Sequence, residues 1–377
     1  MKLLVSARDP SAALSILEII KQGKYFQQIT FTVYAMEPAL KIFQDFNIQV
    51  NKVNCKPTSS SNSENSIQLK MQAKSILEKN TPDALLVGLS GPDAGIDEAL
   101  LLEAKKNRLP TYAIQDFWGD VNLTFGQPAD TYFVIDNSAR EMTKNRVNSQ
   151  AIVVGSLKHS NFAAINVKKL RSKFLEESSY KASSHIITFC GQPLWHLDSY
   201  QETIDKLAEV VSDMTKDAVL IYSPHPKETR NEASSALNIL KNHHGNSILN
   251  KSFSNELLFA RSDLVCSCCS LACFDQIMTN RLSPSPLGIA AFLFLNEKIL
   301  NWYRSFTKHD DPMPGMESVS DIVFKLESLR SIIKYSTCIE YKTKRWEQIM
   351  ENVPTPQDAS KLVVRYIMSD LQIKIPK

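Results

Sequence analysis

Short, β-branched apolar runs alternate with longer stretches of helical periodicity along nearly the whole chain. In the first part, residues 2–7, 29–34, 48–53, 84–87, 111–114, 131–135 and 151–154 read as strands, because each is brief, apolar and bounded by turn residues. Between them, residues 12–22, 37–45, 66–79 and 96–107 carry apolar side chains at helical spacing. Pro10 follows Asp9 at the start of the first helix, where a missing N–H costs nothing. Residues 56–65 are rich in Ser and Asn without periodicity and read as a mobile surface loop. The pattern resumes after a polar helical stretch at 167–181. Strands are expected at 185–189, 218–221, 246–250, 263–266 and 290–295, and helices at 199–213, 231–242, 255–260, 271–278, 321–333, 343–351 and 357–371. Regular strand–helix alternation gives parallel, doubly wound sheets. Two such patterns imply two Rossmann-like α/β domains. The expected division is 1–157, 158–335, and 336–377 as helices that cross back to the first domain.

Length and composition bound the reading. A chain of 377 residues with 43% apolar content can bury two cores. Its net charge is +3 with both signs dispersed, which argues against a dedicated nucleic-acid binder. Seven cysteines, four of them between Cys266 and Cys273, do not form a secreted disulfide framework, and their spacing lacks paired zinc-type sets, so buried thiols are expected and no metal. The opening apolar run ends at Arg8-Asp9, too soon for a signal peptide, and no run approaches the roughly 18 residues of a membrane span. A cytoplasmic protein is expected, with any contact at the inner membrane peripheral and made through basic residues. No phosphate-binding P-loop and no dinucleotide fingerprint is present, and no cofactor is implied.

The candidate chemistry sits at strand ends. Tyr222-Ser223-Pro224-His225-Pro226-Lys227-Glu228 follows a buried-strand pattern, and the two prolines hold the backbone extended around His225. About forty residues later Ser267-Cys268-Cys269-Ser270 ends another strand and opens a helix. An imidazole N–H, serine hydroxyls and the free N–H groups of a helix start together suit a nucleotide phosphate. Gln192, after the strand at 185–189, could reach base, phosphate or sugar; Pro226 and Lys227 flank the phosphate position. In the first half Asp116 lies just past a strand end, followed by Phe117, Trp118, Gly119 and Asp120. A carboxylate there can act as general base or as nucleophile, with Asp120 as its substitute. Ser90, Asp93, Asp97 and Glu98 occupy the preceding strand-end loop and the helix start after it. With Trp118, Asp120 and Lys158 at the domain exit, they are candidates for contacts to acceptor or sugar.

Gly191-Gln192-Pro193-Leu194, His225-Pro226-Lys227-Glu228 and Ser267-Cys268-Cys269-Ser270 resemble motifs of bacterial glycosyltransferases that use CMP-activated acids, the sialic acid, nonulosonate and Kdo transferases. The resemblance covers the second half as motifs and the first half by architecture. It departs from the family where two adjacent serines are expected, because Cys268 and Cys269 separate Ser267 from Ser270. The resemblance implies a GT-B arrangement, with two domains facing across a cleft, and a CMP-sugar donor held by the C-terminal domain. The acceptor it implies is a glycan or lipid-linked glycan of a bacterial surface polysaccharide, bound by the N-terminal domain. The same fold also serves UDP-sugar transferases and sugar-nucleotide epimerases, and a non-catalytic sugar-nucleotide or glycan binder is the reading from another class.

Overall fold

The computed structural model of the chain describes residues 1–372 apart from 27, 90, 92, 165, 179, 182 and 308, with the side chains of 161–164 also outside the description. The chain divides into two compact units: Met1–Ala163 with Pro354–Lys377, and Ala164–Val353.

Unit 1 contains β1 (Lys2–Ala7), α1 (Pro10–Gly23), β2 (Thr30–Ala35), α2 (Ala39–Asp45), β3 (Val50–Lys52), α3 (Glu64–Asn80), β4 (Ala84–Gly88), α4 (Ile96–Lys106), β5 (Thr111–Ile114), β6 (Thr131–Val134), α5 (Asn137–Arg146) and β7 (Gln150–Val153). The seven strands are parallel in the order β3-β2-β1-β4-β5-β6-β7. The central strands are apolar on both faces, since helices cover both sides of such a sheet; every residue of β4 and β5 is buried. Strand order reverses between β1 and β4. Ser6 lies beside Val87, and Gly88 beside Ile114, so β1, β4 and β5 end nearly level. The segment read as a mobile loop is tied down instead. Thr58 exchanges two backbone hydrogen bonds with Ala94, of 2.9 and 2.8 Å, and Ser63 caps α3 by accepting from Ser66 N at 3.1 Å.

Unit 2 contains α6 (Val167–Glu177), β8 (Ile186–Cys190), α7 (Asp198–Met214), β9 (Val219–Ser223), α8 (Arg230–His243), β10 (Ser247–Leu249), α9 (Asn255–Arg261), β11 (Leu264–Ser267), α10 (Ala272–Arg281), β12 (Ile289–Leu293), α11 (Glu297–Thr307), β13 (Asp321–Val323), α12 (Leu326–Tyr335) and α13 (Ile339–Asn352). Its six parallel strands follow the order β10-β9-β8-β11-β12-β13. The reversal falls between β8 and β11. The sequence reading of 321–333 as one helix is corrected: Asp321–Val323 pairs with β12 as an edge strand before α12 begins. α14 (Ala359–Asp370) returns to unit 1, where Val363, Val364, Ile367 and Met368 join the core that includes Ala13, Ile16 and Ile20 of α1. The chain passes to unit 1 at Pro354, later than residue 336, because α13 packs with unit 2. Among the described residues no helix is long and apolar enough to cross a membrane.

Candidate functional site

In an open parallel sheet, ligands bind beyond the carboxyl ends of the strands where strand order reverses. Each unit brings candidate residues to that place, and the two are described separately.

In unit 1, β1 runs into Arg8 and Asp9. Arg8 is 6% exposed, and its Nη2 donates to the Asp93 carbonyl at 2.6 Å, pinning the loop after β4. Asn122 Nδ2 donates to the same carbonyl at 2.9 Å. Gly95 leaves room for the guanidinium stem; a Cβ there would lie 2.7 Å from Arg8 Cδ. Asp97 and Glu98 follow in the first turn of α4, and both are buried. Asp97 Oδ1 accepts from Ser6 Oγ, and Glu98 Oε2 accepts from Gly95 N at 2.7 Å. Their second oxygens, Asp97 Oδ2 and Glu98 Oε1, are buried with no hydrogen-bond partner. Burial pushes both carboxyls well above the usual range, and Asp97 raises Glu98 further.

Asp116 and Asp120 lie beyond β5, closed in by protein on most sides yet keeping an edge at the surface. Burial raises Asp116. The Ser11 hydroxyl, in the first turn of α1, opposes that rise; Asp9 adds to it and the Lys158 charge counters it. Asp120 is pushed up to about 7 by burial and then by the Asp116 and Glu98 charges, against Arg146 and Arg8. Asp116, Asp120, Glu98 and Lys158 therefore share one electrostatic neighbourhood. Glu98 is engaged with its own helix start rather than open to a ligand. Trp118 is a correction: its side chain is fully buried and its indole N–H donates to Asp136 Oδ2 at 2.8 Å, so it offers no platform to an acceptor. Ser90 lies outside the described residues.

In unit 2, the loops after β8, β9 and β11 meet at the strand-order reversal. His225 follows β9 and is half-buried; Pro226 and Lys227 are exposed. Its Nδ1 accepts from Lys227 N at 3.0 Å, so in the neutral ring Nε2 carries the proton and is the atom left to donate to an anion. Burial, followed by the Lys227 charge, lowers the imidazole below its usual range and keeps it neutral near pH 7. Ser267 is fully buried; its Oγ contacts Cys273 Sγ at 3.2 Å and accepts from Ser270 N at 3.0 Å, which fixes the turn before α10. The reading that left Ser267 and Ser270 equal as phosphate ligands is thereby corrected. Ser270 is the half-open one, its Oγ accepting from Ala272 N at 3.2 Å at the start of α10. Gln192 clamps the turn after β11. Its Oε1 accepts from Cys269 N at 2.9 Å and its Nε2 donates to Cys269 Sγ at 3.1 Å, so both ends of the amide are used across the β8–β11 reversal. Cys266, Cys268 and Cys273 are fully buried, and desolvation holds their thiols protonated. Among the described residues no three His, Cys, Asp or Glu side chains gather closely enough to hold a metal ion.

No protein-family model and no curated protein matches the sequence. Solved structures do match in three dimensions. A UDP-GlcNAc 2-epimerase from Neisseria meningitidis, bound to UDP-GlcNAc, superposes with a TM-score of 0.68 at 15% identity, covering 98% of this chain and 100% of that one. The epimerase of the same name from Methanocaldococcus jannaschii gives 0.63 at 14%, with the same coverage. MurG from Acinetobacter baumannii gives 0.60 at 10%, again over 98% and 100%. The chain has the GT-B fold. Within this fold, identities of 10–15% carry the architecture and not the activity. None of the three is a sialic acid or Kdo transferase, so the CMP-sugar resemblance gains nothing from them.

Sequence reasoning missed Arg8, Ser11 and Arg146 in unit 1 and Trp195, Tyr200 and Tyr222 in unit 2. Arg8 had a usable signal, a cation directly after the first strand. Ser11 had only its place in a helix start, and α5, which carries Arg146, is too polar to show an apolar stripe.

Proposed function

We propose that this GT-B protein is an enzyme acting on a UDP-sugar, as a transferase or an epimerase. In this reading unit 2 binds the nucleotide and unit 1 supplies the proton-transfer groups. The observation that carries the reading is the pair Asp116 and Asp120, both raised by burial and the second to about 7, just past β5 at the strand ends of unit 1 where ligands enter such folds. The UDP-sugar is taken from the structural neighbours, which include epimerases bound to it.

In transfer, Asp116 accepts the proton of the acceptor hydroxyl while the acceptor's hydroxyl oxygen bonds to the anomeric carbon. The bond from that carbon to the nucleotide oxygen breaks, and UDP leaves with the electron pair. The His225 Nε2–H, the Ser270 hydroxyl and the first N–H groups of α10 then meet the charge on the phosphate. In epimerisation one carboxylate removes the proton from the carbon beside the anomeric centre as the bond to UDP breaks. The C–H pair forms a C=C bond and UDP leaves with the pair of its own bond, after which a protonated carboxyl returns a proton to the opposite face as UDP adds back. A CMP-activated acid is the second reading, favoured by His225-Pro226-Lys227-Glu228 followed by the serine turn.

The test is a melting-curve screen of UDP, CMP, GDP and CDP, followed by NMR of the protein with UDP-GlcNAc alone and with a glycan acceptor. A ligand at 100 times its dissociation constant adds about 2.7 kcal/mol to stability. A shift with UDP and consumption of UDP-GlcNAc is expected. Isomerisation without acceptor identifies an epimerase, and UDP release only with acceptor a transferase. A shift with CMP and none with UDP restores the CMP-sugar reading. Binding without turnover of either donor class makes the chain a sugar-nucleotide binder.

A further inference from the structure

The three loops at the strand-order reversal of unit 2 are joined by a single relay of hydrogen bonds. Gln192, clamped to Cys269, donates its backbone N–H to the Tyr200 hydroxyl at 2.8 Å. Tyr200 and Tyr222 hydroxyls lie 3.1 Å apart, and Tyr222 donates to Glu228 Oε1 at 2.6 Å. With Gln192 N–H already donated to Tyr200, the chain of donors runs one way, ending on the Glu228 carboxylate. Two more donors converge there. Trp195 Nε1 reaches Oε1 at 2.6 Å, and the backbone N–H of His225 reaches Oε2. Glu228 N in turn donates to the His225 carbonyl at 2.9 Å, closing the turn. The chain makes room for this carboxylate at Gly191, where a Cβ would lie 2.3 Å from Glu228 Oε2 and 2.7 Å from the Tyr222 hydroxyl. Both tyrosines are buried, so each unmade bond in the relay would leave a desolvated hydroxyl.

We propose that Glu228 is a positioning residue: it ties the loops after β8, β9 and β11 together and sets the turn in which His225 presents Nε2–H outward. This rests on the reading that His225 meets the nucleotide phosphate. The carboxylate acts through His225 and touches no substrate itself. Its three donors approach two oxygens, so an amide of the same shape cannot replace it. A glutamine can offer one oxygen to Tyr222 and Trp195 or to His225, and its NH2 then faces a donor on the other side.

The experiment compares wild type with Glu228→Gln, using 15N-labelled histidine and the His225→Gln protein to assign the His225 ring signals. The wild type is expected to show the Nε2–H tautomer alone at pH 7.5. Glu228→Gln is expected to show a mixture of tautomers, because the released turn loses the Lys227 N–H bond to Nδ1. By isothermal titration the UDP dissociation constant should rise about tenfold, a change of about 1.4 kcal/mol, while the rate at saturating donor changes much less. Tyr222→Phe removes one donor and leaves the His225 link, so a rise of about threefold is expected; it also serves if Glu228→Gln fails to fold. An unchanged His225 tautomer in Glu228→Gln overturns the proposal; if that variant does not fold, an unchanged UDP dissociation constant in Tyr222→Phe overturns it. A wild type that binds no nucleotide sinks the functional reading instead, and the tautomer comparison then decides the role of Glu228 by itself.

Discussion

Asp116 is raised by burial, while the Ser11 hydroxyl and the Lys158 charge oppose that rise and part of the residue stays at the surface. Asp116→Asn preserves shape and removes the proton acceptor. Turnover should fall by about 10²- to 10⁴-fold, with the melting temperature and UDP affinity near wild type; substantial activity here, with Asp120→Asn inactive, reassigns the base to Asp120. Asp120 also makes a stability prediction. Its carboxyl titrates at about 7 in the folded protein and near 3.9 in a flexible chain. Between these values the folded state holds a proton that the unfolded state has lost. Its contribution is therefore full below pH about 4 and is lost as pH rises through about 7. Asp97 and Glu98, both raised, act with the same sign. Melting curves from pH 5 to 8 should show stability falling, and Asp120→Asn should flatten that fall. A wild-type profile in the variant would place the titration elsewhere.

At the scale of elements, the start of α10 separates two serines that look equivalent in sequence. Ser267 serves the fold and Ser270 faces outward. Ser267→Ala should cost about 1 kcal/mol of stability by denaturant titration, the usual net worth of a buried hydrogen bond, whereas Ser270→Ala, whose bond to Ala272 N is half-open to water, should cost less and raise the UDP dissociation constant. The reverse pattern would exchange their roles. Strands and strand-end loops were legible because buried parallel strands are short apolar runs, and His225, Asp116 and Ser270 stand at their ends. What escaped was any feature that depends on a partner far along the chain. Trp118 looks like an exposed aromatic until Asp136 takes its indole N–H, and nothing in the sequence pairs Gln192 with Cys269, seventy-seven residues on. β13 was hidden because three residues at a sheet edge carry too little periodicity to distinguish them from the helix that follows.

The whole molecule is two units with unequal claims on the sequence. Unit 2 is one continuous segment, whereas unit 1 is completed by α14, whose buried Val363, Val364, Ile367 and Met368 lie against the core that α1 begins. Replacing Met368 by Ala should cost about 2–5 kcal/mol, as large-to-small changes in cores do. That loss should appear in the melting of unit 1 and not of unit 2; calorimetry that shows unit 2 affected would refute it. The same discontinuity orders events during protein synthesis. Residues 1–163 must wait with a gap in their core until α14 emerges, while residues 164–353 have everything they need earlier. In a nascent chain, the half made second is thus the half finished first.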